Sequence, residues 1–120
     1  MDGCRVSALV GERPRVVCLC GSVRFLAEFD AASLAETLAG RIVLSVGSHR
    51  ERDEDALAHL NSAEREAALD RLGALHLRKI DLADEVLVIN PGGYVGDSTH
   101  REIAYARQTG KPVRSLEPLP

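Results

Sequence analysis

Short apolar runs constrain this chain most. Val16-Val17-Cys18-Leu19-Cys20, Ile42-Val43-Leu44-Ser45-Val46 and Glu85-Val86-Leu87-Val88-Ile89 are each about one strand long and largely apolar rather than alternating, and Pro112 to Leu116 reads as a short last strand. Strands covered on both faces read this way, as in parallel sheets. Between them lie stretches of helical spacing. Phe25 to Ala39 places Phe25, Phe29, Ala32, Ala35 and Leu38 on a helix face and ends at Gly40, a C-terminal capping glycine. Asn61 with Glu64 three positions on forms a capping box for a helix running to about Ala83, with Leu69, Leu72, His76, Ile80 and Ala83 along one stripe. Ser98 to Gln108 gives a third helix, stopped by Gly110. Ser48 with Glu51 allows a further short helix in the charged stretch to Leu60.

Strands alternating with helices predict an α/β fold: a small doubly wound parallel sheet of four to five strands, flavodoxin- or Rossmann-like, with helices on both faces. Residues 1–15 read as a loose leader and 16–120 as one domain. The expected strand order is 2-1-3-4. Its switch point then lies between the first and third strands, where ligands of such sheets bind. Two loops meet there. One is Gly21-Ser22-Val23-Arg24, which offers a backbone turn, a hydroxyl and a guanidinium, the parts of a phosphate clamp. The other runs from Asn90 to Asp97, carries Gly92, Gly93 and Gly96, and opens a helix at Ser98 and Thr99. A helix N-terminus favours an anion. Glu102 sits just inside that helix, and Thr99-His100-Arg101-Glu102 also fits a capping box, which would make Glu102 a mere cap. His76 falls on the apolar stripe as a core histidine or a catalyst. His49 and His100 fall on loops, His49 as a substrate contact. Asp81, Asp84 and Glu85 crowd the negative end of the long helix, and Arg78 or Lys79 should compensate them.

Composition excludes several classes. Aromatics are 3% with no Trp, and the formal net charge is −3, so a base-stacking or basic surface for a nucleic-acid polymer is not expected. No run approaches the ~20 apolar residues of a membrane span, and no signal peptide is evident, so no membrane partner and a cytoplasmic location are expected. The three cysteines are Cys4, Cys18 and Cys20. Cys18 and Cys20 share one side of a strand, read as buried free thiols, and give a weak metal signal, so no metal is assigned. There is no Walker A sequence and no GxGxxG after the first strand, and no cofactor is expected.

With these residues in view, the stretch CGSVRF followed by LHLRKIDLADEVLVINPGGYVGDSTHREIAYARQTGKPV resembles the nucleoside 2-deoxyribosyltransferase-like superfamily, which includes nucleoside 5′-monophosphate N-glycosidases. The resemblance runs from about Val16 to Leu116. It implies cleavage or transfer of an N-glycosidic bond, with a nucleoside or nucleotide as the small-molecule partner. It puts the catalytic glutamate on Glu102, phosphate binding on Gly21, Ser22, Arg24 and Ser98, and His76 near the place of the assisting aspartate. Asp84 is then either a substitute for that aspartate or a structural residue at the strand start. Gly93 and Gly96 belong to the ligand loop. A homodimer or larger homo-oligomer is implied as well. Two alternatives stand beside this reading. One is a non-catalytic nucleotide-binding module. The other is a phosphoribohydrolase, because Pro91-Gly92-Gly93 with Gly96 is similar to the PGGxGT loop of lysine-decarboxylase-like enzymes.

Overall fold

A computed structural model describes residues 13–46 and 57–120. Its elements follow the alternation of the sequence: β1 Val16–Gly21, α1 Leu26–Leu38, β2 Ile42–Leu44, α2 Ser62–Leu82, β3 Glu85–Ile89, α3 Asp97–Gln108 and β4 Val113–Ser115. The strands form one four-stranded sheet in the order β2-β1-β3-β4. All pairings are parallel, with Val16 opposite Ile42, Cys18 opposite Val86 and Val86 opposite Val113. The order 2-1-3-4 is therefore the observed one. The edge strands β2 and β4 are shorter than their apolar runs, because each is paired on one side only. The Ser48–Glu51 capping box lies outside the described residues.

Each central strand feeds two cores. Val17, Leu19, Leu87 and Ile89 face α1 and pack on Phe29 and Ala32. Cys18, Cys20, Val86 and Val88 face the other way, onto Ile80 and Ala83 of α2 and Ile103 and Ala106 of α3. So α1 covers one face, and α2 with α3 cover the other. Fully burying each large aliphatic side chain contributes about 1.5–3 kcal/mol. The core is almost wholly aliphatic, as an aromatic-poor composition requires.

The capping box at the start of α2 forms as expected. Glu64 N donates to Asn61 Oδ1 at 2.8 Å and Asn61 N to Glu64 Oε1 at 3.1 Å. The stripe behind it is buried only in its second half. His76, Ile80 and Ala83 are buried, whereas Leu69 and Leu72 are 42% and 36% exposed. The first turns of α2 border an open cleft, which Leu69 and Leu72 line.

The crowded carboxylates at the end of α2 find partners in space. Asp84 Oδ2 accepts from Val16 N at 2.8 Å, and its Oδ1 pairs with Arg13 at 2.6 Å. Glu85 is buried and holds Arg15 at 2.8 Å and Arg114, which also reaches Glu36. Burial pushes the Glu85 carboxyl up, but the hydrogen bonds from Arg114 and Arg15 overrule it and hold it below its usual range. Asp81 takes Arg78 at 3.0 Å and the Tyr105 hydroxyl at 2.6 Å. Lys79 instead donates to Ser45 O, and Lys111 caps the helix through the Ala83 carbonyl at 2.7 Å. Arg13 and Arg15 thus belong to the domain rather than to a loose leader. Among the described residues, no helix is long and apolar enough to cross a membrane.

Candidate active site

β1 and β3 end side by side, with Gly21 opposite Ile89. A side chain cannot replace the glycine there: a Cβ on Gly21 would lie 2.6 Å from Ile89 O and 3.3 Å from the Phe29 ring. Beyond Gly21, Ser22 caps a single 3-10 turn, its Oγ accepting from Arg24 N at 3.3 Å. Beyond β3 the chain turns at Pro91–Gly93. Gly92 and Gly93 have φ of 66° and 82°, left-handed values that side chains resist. Asn90, fully buried, does not contact the cleft. Its side chain grips Glu117 of the tail instead, with Glu117 N donating to Oδ1 at 2.9 Å and Nδ2 donating to Glu117 O at 3.0 Å.

The two loops are joined through Tyr94. The Arg24 guanidinium lies 4.4 Å above its ring centroid and donates to its hydroxyl at 3.3 Å. Phe25 meets the same ring edge-on, with centroids 5.9 Å apart. A cation stacked on an aromatic face gains about 0.5–1 kcal/mol at such an exposed position. The clamp is thereby held at the rim of the cleft.

α3 begins at Asp97 with Gly96 as its N-cap and no side-chain cap. This corrects the capping-box reading of Thr99 and Glu102. Thr99 is already inside the helix and buried, and Glu102 lies a turn further on, facing inward. Its carboxyl is 14% exposed and stands 3.9 Å from Nε2 of His76, whose side chain is 6% exposed. Burial pushes the Glu102 carboxyl up, against the pull of the His76 charge. Burial works against a charged His76 as well, but the hydrogen bond and charge of Cys18 and the charge of Glu102 outweigh it, so the imidazole is raised. A carboxyl and an imidazole are thus held together in a part-dry recess, the usual setting for acid–base work.

Around this pair opens a cleft of about 1160 Å³. Gly21 and Ser22 line it from the first loop, Gly96 and Ser98 from the second, and His76 and Glu102 from the helices. The volume accommodates a nucleotide-sized ligand. No protein-family model, curated protein or solved structure matches the chain.

The remaining expected site residues fall elsewhere. Arg24 reaches the cleft only through Tyr94, and Gly93 is exposed in its turn, off the cleft wall. His49 lies outside the described residues. Asp84 is corrected: it sits at the N-terminal ends of β1 and β3, a strand length from the cleft, held by Arg13 and Val16 N. Its carboxyl lies below its usual range, chiefly through the Arg13 hydrogen bond. There it clamps the start of β1 to the start of β3, away from the cleft.

Three contributors were not read from the sequence. Tyr94 lines the cleft and offers an aromatic face. Arg101 also lines it and donates to Ser98 Oγ at 3.2 Å, a second guanidinium at the helix N-terminus. Its place one turn from Ser98 was the available signal. The third is the convergence of Cys18 and Cys20 on His76, at 3.7 and 3.3 Å from Nε2.

Proposed function

We propose that this protein cleaves, or transfers, the N-glycosidic bond of a nucleoside or nucleoside 5′-monophosphate. The observation that carries the reading is the Glu102 carboxyl, 14% exposed and 3.9 Å from His76 Nε2, at the foot of both switch-point loops. The resemblance of residues 16–116 to nucleoside 2-deoxyribosyltransferase-like proteins supports the same residues for the same chemistry.

In this mechanism the C1′–N bond breaks through an oxocarbenium-like transition state, and its electron pair leaves with the base. Glu102 either attacks C1′ or holds the developing cation electrostatically. A protonated His76 is the nearest acid to hand a proton to the departing nitrogen, in the position where the resembled family has an aspartate. Water or an acceptor base then takes the sugar. The N-terminus of α3, Ser98 and Arg101 supply an anion site for a 5′-phosphate, with Arg24 beside it at the rim on Tyr94. Binding a remote phosphate orients the reacting bond. Tyr94 supplies an apolar face for the base. Exposed leucines on α2, Leu75 and Leu82, suit the self-association that the same reading includes.

The test is incubation with a panel of nucleosides and nucleoside 5′-monophosphates, free base being resolved by chromatography, with Glu102→Gln alongside. Base from the wild type and none from the variant is the expected result. If no panel member yields base while a nucleotide still raises the Tm, the cleft belongs to a binding module.

A further inference from the structure

We propose that Cys18, Cys20 and His76 form a three-ligand binding site for a divalent transition metal of the zinc class, with a fourth position left to solvent. The site arises from two periodicities. Alternation along β1 puts Cys18 and Cys20 on the face that α2 covers, and α2 places His76 one turn before Ile80, directly over that face. The two sulfurs lie 3.7 and 3.3 Å from His76 Nε2, and the three candidate ligand atoms all fall within 4.8 Å of one another. Zn–S bonds of about 2.3 Å and Zn–N bonds of about 2.0–2.1 Å at tetrahedral angles give S···N edges of about 3.6 Å. The observed spacing is already close to that of an assembled site. Glu102 Oε1 is 3.9 Å from the same nitrogen, beside the three ligands on the cleft side.

Hydrogen bonding alone does not use this arrangement well. A neutral imidazole nitrogen accepts one proton, yet two thiols converge on Nε2. A cation between them satisfies all three groups at once. Two sulfurs and an imidazole are a soft to borderline set, which selects zinc or cobalt over magnesium or calcium. Cys18 and Cys20 are fully buried, but His76 and Glu102 line the cleft, so an ion has a way in. On binding, both thiols release their protons to solvent.

This site does not rest on the glycosidase reading, but it constrains it. His76 cannot ligate a metal through Nε2 and hand a proton to the leaving base together. Where both hold, the ion is an inhibitor of base release.

The experiment uses the reduced full-length chain, stripped with a chelator and titrated with Co²⁺ and then Zn²⁺. The expected result is one equivalent of Co²⁺ with a thiolate-to-cobalt charge-transfer band and the strong visible bands of a tetrahedral ion. Cys4→Ser should keep the signal, Cys18→Ser/Cys20→Ser should abolish it, and His76→Gln should weaken binding at least tenfold. Core variants can fail to fold, so X-ray absorption on the zinc-loaded wild type gives an independent reading, with two sulfur ligands expected. Failure of the reduced wild type to hold one equivalent, any other sulfur count, or loss of binding in Cys4→Ser overturns the site. Base release is scored separately. Metal binding without base release upholds this site and removes the glycosidase; base release without metal binding does the reverse.

Discussion

Glu102 Oε1 and His76 Nε2 face each other across the cleft foot at 3.9 Å. That is longer than a hydrogen bond, so the contact is not yet made in the free protein. Catalytic contacts commonly tighten only when substrate is bound. His76→Gln, assayed in chelator, is expected to lower kcat for base release by about 10²–10⁴-fold, the usual worth of a positioned acid. KM should change only a few-fold. A large KM change at constant kcat would show His76 to be a binding group only.

Gly21 and Gly73 should respond to alanine in opposite ways. At Gly21 the new Cβ meets Ile89 O at 2.6 Å, a backbone atom that cannot swing aside. Gly21→Ala is expected to cost about 1–3 kcal/mol, the range for overpacking. Gly73 lies mid-helix in α2, and a Cβ there meets nothing within 4 Å. Gly73→Ala should stabilise by about 0.5–1 kcal/mol. Urea midpoints of the two variants check both signs.

Acid should weaken the fold through Glu85. Its carboxyl titrates below the usual 4.5 because Arg114 and Arg15 outweigh burial. The stabilisation is therefore complete above that usual value and is lost as pH falls through the lowered one. Glu85→Gln should cost about 1–3 kcal/mol at pH 7, as for hydrogen bonds to a charged group. The same variant should flatten the fall of stability below about pH 4.5. Denaturant unfolding between pH 7 and pH 3 gives both numbers, and an unchanged acid slope would move the effect to another carboxylate.

Asn90→Ala should release the tail. The substitution leaves Glu117 N and O without their buried partners, at about 1–3 kcal/mol. Faster proteolysis after β4, with base release retained, is the expected pattern.

Much of the fold was legible because its determinants are local. Continuous apolar runs marked β1 and β3, the Asn61–Glu64 pair marked the start of α2, and the switch point followed from strand order. Thr99 and Glu102 show where local patterns mislead. The T-x-x-E spacing matches a capping box, yet the helix begins earlier at Asp97, and Glu102 turns inward because α2 presents His76 there. Leu69 and Leu72 matched the stripe of His76 and Ile80, but they line the cleft rather than the core, and only the tertiary fold places the cleft there. The Cys18–Cys20–His76 convergence joins a strand to a helix, and no single window of sequence contains it.

The clamp of Asp84 on Arg13 and Val16 N and the pair of Glu102 with His76 lie at opposite ends of β1 and β3. Such strands span about 17–20 Å, well beyond the roughly 7–10 Å at which substitutions usually begin to couple. Changes at the two ends should therefore add. Stability gained by improving the Arg13, Asp84 and Glu85 cluster would carry over unchanged to any redesign of the cleft. One end of this sheet can be strengthened while the other is being altered, which makes so small a domain a practical scaffold for substitution.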